Sequence, residues 1–309
     1  MQFEMPFDLS ITRRRALGVL AGSAALSALS PSLLSEEKRA RKVLFFTKSS
    51  GFEHDVVKRK NGQLGLAETV FTELGKKRGF EVVVTKDGGV FDKDLGSFDI
   101  FFFYTTGNLL EAGTDKQPPM SARGKEALLD AVKAGKGFMG SHCANDTFHS
   151  PGNRFETQPS PDPYIAMLGG EFIRHGPQQK ARVRVVDPAF PGQKTAGPSF
   201  EIEEEWYSNK NFAPDIRVIH VLETKGMDGL DYERPPFPLT WARMHGKGRV
   251  FFTSLGHRDD VWTSDRFQEM LHGAVAWCAG DAEADVKPNL KEAAPEHGVL
   301  QPEKRKKKD

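Results

Sequence analysis

The sequence predicts an α/β fold with a mostly parallel central sheet and an antiparallel extension. Between residues 43 and 140, short apolar runs alternate with segments of helical spacing, which is the pattern of right-handed β–α–β crossovers. Beyond residue 178, strand patterns follow one another with little helix between them. The composition, 38% hydrophobic and 28% charged over 309 residues, excludes collagen, extended disorder and a polytopic membrane protein.

The first half predicts four strands and two helices. The strands are continuous apolar runs, which indicates burial on both faces. Apolar residues recur at helical spacing from Leu64 to Leu74 and stop before Gly79, which suits a helix C-cap. Ser121 is the predicted N-cap of the second helix. The elements in order are strand 43–47, helix 64–79, strand 80–85, strand 99–104, helix 121–134 and strand 136–140.

The second half predicts the antiparallel extension and a closing helix. Its strand patterns cover residues 180–186, 199–206, 216–224, 239–244 and 249–253, and the amphipathic helix covers 267–278. The folded domain therefore spans residues 42–280.

Residues 1–35 have the layout of an export signal. Thr12-Arg13-Arg14-Arg15 precedes a charge-free stretch, residues 16–35, and together they resemble a twin-arginine signal. Glycines, serines and Pro31 make the stretch only weakly hydrophobic. We therefore expect export to a periplasmic or other extracytoplasmic location. An uncleaved anchor is the alternative, and it would be the chain's only contact with a membrane.

The carboxyl-terminal residues 287–309 predict a solvated, disordered tail. They contain three prolines, few large apolar residues and the basic run of residues 304–308.

Charge and motifs exclude several classes of partner. Residues 36–286 hold 33 basic and 36 acidic side chains, which argues against a nucleic-acid surface. Two cysteines exclude a disulfide scaffold and a thiolate zinc cluster. No glycine-rich phosphate-binding loop follows the first strand, so no nucleotide cofactor is expected. The pattern does not indicate an oligomeric state.

Histidines follow three of the predicted strands. His54, His142 and His257 lie in loops after the first, the fourth and the last strand, and His175 lies in a turn-rich stretch. Loops at the carboxyl ends of parallel strands converge. A single loop histidine is ordinarily solvated or hydrogen-bonded, and we expect such a role for His149. His142 differs, because its strand-to-turn junction resembles a nucleophile elbow.

Six segments together resemble the trehalose-utilisation (ThuA-like) family, over residues 42–280. The resemblance implies a three-layer, flavodoxin-like domain related to class I glutamine amidotransferases, in proteins associated with sugar metabolism. The segments are 137–146, 164–175, 205–207, 238–241, 246–257 and 273–280.

The elbow departs from that of an amidotransferase. His142 occupies the turn position where those enzymes carry a cysteine, and Cys143 follows it. Glutamine hydrolysis is therefore not expected. We interpret Cys143, like Cys278, as a small buried residue.

Aromatic residues beside polar ones indicate a sugar ligand, since aromatic faces suit the C–H surface of a sugar ring. The alternative is that Trp206 and Trp241 cover the sheet. The predicted substrate-binding residues are His54, Trp206, Tyr207, Trp241 and Trp262.

Two hypotheses follow. The first is an exported sugar-processing enzyme, acting on trehalose or a related or oxidised sugar; the second is a non-catalytic carbohydrate-binding or scaffold protein. The predicted catalytic residues are His142, Asp146, His175, Glu205 and His257. Such groups could hold a divalent ion such as zinc or exchange protons with a sugar hydroxyl, and both readings stay open.

Overall fold

The computed structural model describes residues 39–301 and residue 303. The export segment 1–35 and the basic run 304–308 lie outside the described residues, so the predictions made for them stay predictions. The described residues from Ala40 onward belong to one compact unit. Among the described residues, no helix combines the length and the apolar character needed to cross a membrane.

The predicted elements of the first half are present near their expected boundaries. Gly79 adopts a left-handed φ of 81° and ends the first helix as expected. The Ser121 hydroxyl accepts the N–H of Gly124 and caps the second helix. The elements are β1 (Lys42–Phe46), α1 (Leu66–Arg78), β2 (Glu81–Thr85), β3 (Ile100–Phe103), α2 (Ala122–Ala134) and β4 (Gly137–Ser141).

The second half contains every predicted strand and the predicted closing helix. In chain order the elements are α3 (Pro163–Leu168), β5 (Glu171–His175), β6 (Gln179–Val185), β7 (Ser199–Glu204), β8 (Tyr207–Lys210), β9 (Arg217–Glu223), β10 (Phe237–His245), β11 (Gly248–Thr253), α4 (Asp259–Thr263), α5 (Asp265–Cys278) and α6 (Leu290–Ala293). The sequence pattern did not predict three of the short helices, α3, α4 and α6, or two of the strands, β5 and β8.

Nine strands form one mixed sheet in the order β2-β1-β3-β4-β11-β10-β9-β6-β7. The first five are parallel, in the order of a flavodoxin-like sheet. The last four are antiparallel to their neighbours. β5 and β8 pair separately as a two-stranded antiparallel sheet. The predicted parallel sheet with an antiparallel extension is confirmed.

Helices cover both faces of the parallel strands. Successive residues of β1 enter different cores: Val43 and Phe45 pack in the core that includes residues of α1 and α5, and Leu44 and Phe46 in the core that includes residues of α2 and α3. Burial on both faces explains why this strand is a continuous apolar run. The domain thus has three layers.

The prediction of a disordered tail is wrong for residues 287–301. Leu290 and Ala293 are buried against the sheet. The guanidinium of the buried Arg234 donates to the carbonyl of His297, and the Ser208 hydroxyl donates to the buried Gln301. Few apolar residues are therefore enough to order the tail, because the buried donors Arg234 and Ser208 of the domain form hydrogen bonds with acceptors in the tail.

Candidate active site

Loops after three strands of the parallel sheet form the floor of the site. His54 follows β1, His142 follows β4 and His257 follows β11, all at the carboxyl edge of the parallel sheet. Glu205 joins them from the turn between β7 and β8. One donor atom from each side chain lies within 4.8 Å of the others. We call these four residues the donor cluster.

His142 is held in place by its backbone and by one hydrogen bond. Its φ of 48° is left-handed, a conformation that costs free energy in a non-glycine residue. Its Nδ1 lies 3.0 Å from the carbonyl oxygen of Ser254. A carbonyl only accepts, so Nδ1 carries the hydrogen and, in a neutral ring, Nε2 directs a lone pair into the cluster.

Glu205 lies between the two imidazoles. Its Oε2 is 3.4 Å from His142 Nε2 and 3.1 Å from His257 Nδ1. Burial alone would raise the pKa of Glu205, but the adjacent imidazoles of His142 and His257 outweigh it and hold that pKa well below its usual range. Glu205 is therefore ionised at the centre of the cluster.

Glu204, which the sequence analysis did not single out, positions the loop that carries His257. Its buried carboxylate accepts the backbone N–H groups of Gly256, at 2.9 Å, and of His257, at 3.2 Å. Burial raises the pKa of Glu204. The signal for its role is the two-residue period of β7, which places Glu204 on the opposite face of the strand from its half-buried neighbour Glu203.

His54 and Tyr207 complete the wall of the cluster. The Tyr207 hydroxyl lies 3.3 Å from His54 Nε2, and its ring packs on His142 with centroids 4.1 Å apart. Burial holds the pKa of His54 well below its usual value, so its ring is neutral. Its buried Nδ1 has no hydrogen-bond partner among the described residues.

A cavity of about 370 Å³ opens above the cluster. His175 stands at its rim, half exposed, with Nδ1 3.4 Å from Glu205 Oε1. The structure thus brings seven predicted residues together, five predicted as catalytic and two, His54 and Tyr207, as substrate-binding, and these roles stay predictions. The cavity is lined by Phe52, His54, Asp146, Phe172, His175, Gln178, Glu205, Tyr207 and His257.

The three predicted tryptophans do not line this cavity. Trp206, Trp241 and Trp262 are fully buried, and each indole N–H donates to a backbone carbonyl, 2.7–2.8 Å away. The predicted sugar contacts are therefore wrong for these residues, because a buried indole with its N–H already bonded has no face left for a ligand. The aromatic walls are Phe52, Phe172 and Tyr207 instead.

A second group of polar residues lies beside the cavity, and in it the predicted Asp146 meets His149 and Glu171, which the sequence analysis did not assign to the site. His149 Nε2 is 2.7 Å from Asp146 Oδ1, and His149 Nδ1 is 3.1 Å from Glu171 Oε1. Burial lowers the pKa of His149, but the two carboxylates outweigh it and raise that pKa to about 9. His149 is therefore an imidazolium at neutral pH, and it orients Asp146 on the cavity wall.

Cys143 does not occupy the turn position that resembles a nucleophile elbow. Its side chain is fully buried, and burial raises the pKa of its thiol well above the usual value. The left-handed turn position belongs to His142. The structure therefore offers no cysteine nucleophile at the place where an amidotransferase would carry one.

Comparison with known proteins identifies the family of this chain. The family model for ThuA, described as trehalose utilisation, matches residues 42–278. The chain belongs to the ThuA family. The resemblance stated from the sequence motifs is confirmed, and the matched residues lie within the compact unit that carries the donor cluster.

Solved ThuA-like proteins share the fold. One from Bacteroides uniformis is 20% identical, with a TM-score of 0.55, and the match covers 78% of this chain and 92% of that one. One from Parabacteroides merdae is 17% identical, with a TM-score of 0.55, over 83% of this chain and 97% of that one. No curated protein matches the chain. At these identities the likeness shows the ThuA fold alone.

Proposed function

We propose that this ThuA-family chain is an enzyme that processes a sugar or sugar derivative in the cavity above the donor cluster. The observation that carries the proposal is the convergence of three imidazoles and an ionised carboxylate beneath that cavity. Burying so many titratable groups costs free energy, and a protein that only binds sugar has no need of it. An enzyme therefore explains the site better than a non-catalytic binding or scaffold protein.

The cavity favours an uncharged sugar. Its volume of about 370 Å³ suits a small molecule. The exposed Phe52 provides an apolar face for the C–H surface of a sugar ring, and the imidazoles and carboxylates provide partners for its hydroxyls. Among the residues that line it, none is Lys or Arg. A phosphorylated sugar would find no Lys or Arg side chain among these lining residues, which favours trehalose or a related neutral or oxidised sugar.

Asp146 is the proposed general base. The His149 imidazolium donates to its Oδ1, which fixes the orientation of the carboxylate toward the cavity. Asp146 accepts the proton of a substrate hydroxyl, the electron pair stays on the substrate oxygen, and the proton is returned after the reaction. The donor cluster orients the substrate oxygens over the floor.

Export completes the proposal. The arginines Arg13 and Arg14 before a weakly hydrophobic stretch support a twin-arginine signal that carries the folded domain out of the cytoplasm. Replacing both arginines by lysine should leave the protein in the cytoplasmic fraction of cells, whereas the parent should be found outside it.

The enzymatic proposal is tested by turnover. The protein is incubated with trehalose, other glucosides and their oxidised forms, and products are followed by NMR. We expect turnover by the parent and a loss of about 100-fold or more in Asp146→Asn, in line with the usual contribution of a general base. Asp130→Asn, an exposed carboxylate on α2, is the matched control and should behave like the parent. Sugars that bind without turnover would favour the scaffold alternative.

A further inference from the structure

The spacing of the donor atoms is that of ligands around one ion. His142 Nε2 and His257 Nδ1 are 3.2 Å apart, and Glu205 Oε2 lies 3.4 Å from the first and 3.1 Å from the second. Neighbouring ligands held about 2.1 Å from a metal ion are separated by about 3.0 Å in octahedral and about 3.4 Å in tetrahedral geometry. All three separations fall in this range.

Hydrogen bonds within the donor cluster leave some of its ring nitrogens and carboxylate oxygens without a hydrogen to accept. His142 donates through Nδ1 to Ser254, so the Nε2 of a neutral ring is an acceptor that faces the Glu205 carboxylate, another acceptor. His257 Nδ1 carries at most one hydrogen, so it can donate to His142 Nε2 or to Glu205 Oε2 but not to both. His54 adds a buried Nδ1 without a partner among the described residues. A cation bound by all four side chains would interact favourably with these lone pairs, which otherwise face one another.

We propose that His54, His142, Glu205 and His257 bind one divalent first-row transition-metal ion at the floor of the cavity. Three imidazole nitrogens and one carboxylate oxygen suit zinc and its neighbours. They do not suit calcium or magnesium, which prefer oxygen ligands alone. The nearby cavity leaves room for a substrate oxygen as a further ligand.

The surroundings orient the ligands. The carbonyl of Ser254 fixes the tautomer of His142, and the Glu204 carboxylate holds the backbone of His257. Gly256 is fixed in turn, because its carbonyl accepts hydrogen bonds from Tyr104 and Trp262. Metal-binding histidines in proteins are oriented by such outer contacts. Trp262 thus acts on the cluster through Gly256, although it does not reach the cavity.

The chemical role of the ion rests on the proposed function, since a bound cation would polarise a sugar oxygen beside Asp146. Metal binding itself does not rest on it. The two can therefore fail separately: one ion per chain without turnover of any sugar would support the metal site and contradict the enzyme.

The test uses the full-length chain, stripped with a chelator and titrated with Zn²⁺ by calorimetry and with Co²⁺ by visible absorption. We expect one ion per chain, a Co²⁺ spectrum that Zn²⁺ abolishes, and at least about 100-fold weaker binding in Glu205→Gln and His257→Asn. His245→Asn is the matched control, since His245 ends β10 and pairs with Gly248 at the start of β11, at the opposite end of β11 from the donor cluster. Circular dichroism shows whether each variant is folded.

Absence of Zn²⁺ and Co²⁺ binding to the folded parent would overturn the proposal. Binding that is equally tight in Glu205→Gln, His257→Asn and the parent would also overturn it, because the ion would then lie elsewhere. The two conservative variants keep the test decisive even if a His142 variant fails to fold.

Discussion

His142 Nε2 lies 3.2 Å from His257 Nδ1, although 115 residues separate them in the chain. The contact follows from topology: β4 and β11 are neighbouring parallel strands, and each histidine lies in the loop that its strand enters. The sheet therefore supplies the geometry of the site, and Glu205 and His54 complete it from other loops. Four expected outcomes follow from this arrangement.

The backbone at His142 should prefer glycine. Because φ is 48°, His142→Gly relieves left-handed strain that His142→Ala retains. In the metal-free protein, we expect the glycine variant to be more stable than the alanine variant by about 1 kcal/mol. Urea denaturation measures the difference. Equal stability of the two variants would show that the turn at His142 is not strained, while loss of Zn²⁺ binding is expected in both.

Cys143 should be dispensable for the site. Its buried thiol stays protonated, and it contributes no donor to the cluster. Cys143→Ser should keep Zn²⁺ affinity within about 2-fold of the parent, at a cost in stability of about 1–3 kcal/mol for burying a hydroxyl. Calorimetry and denaturation measure the two effects. Loss of turnover in Cys143→Ser with full turnover in His142→Ala would reverse the assignment of the elbow.

Stability should fall at alkaline pH through His149. Its pKa is raised to about 9 in the folded chain, against about 6.5 unfolded, so the folded state binds more protons between these values. Its contribution is complete below about pH 6.5 and is lost as pH rises through about 9. Between pH 7 and 10, the parent should lose more free energy of unfolding than His149→Gln. NMR of the imidazole nitrogens should show both protonated at pH 7.5, and a neutral ring there would contradict the assignment.

The tail should be part of the folded domain. Ending the chain after residue 286 removes the buried Leu290 and Ala293 and the tail partners of Arg234. We expect a loss of about 2–4 kcal/mol in the free energy of unfolding, from lost apolar burial and unsatisfied buried donors. Ending the chain after residue 303 removes only the basic run and is the control. If both truncations unfold like the parent, the packing of the tail contributes nothing.

The fold and half of the site could be predicted because they depend on local pattern and topology. Apolar runs and helical spacing indicate the strands, and parallel strand ends bring His54, His142 and His257 together. The tryptophans were misplaced because a position near a strand end does not reveal which side of the layer a side chain faces. Trp206 and Trp241 are both buried in the core.

The site and tail residues that the sequence pattern did not reveal depend on contacts between segments that lie far apart in the chain. The role of His149 depends on Glu171 in β5, whose sequence Glu-Phe-Ile-Arg-His lacks the continuous apolar run of the predicted parallel strands. Glu204 is one of three successive glutamates, and only the register of β7 separates it from its neighbours. The packing of the tail depends on acceptors for Arg234, which composition does not reveal.

Anomalous diffraction at the zinc absorption edge tests the central claim most directly. Crystals of the full-length protein grown with Zn²⁺ should show one strong peak at the floor of the cavity, about 2.0–2.2 Å from a ring nitrogen of His54, His142 and His257 and from an oxygen of Glu205. A peak beside Asp146 and His149 instead, or no ordered peak in zinc-saturated crystals, would contradict the account.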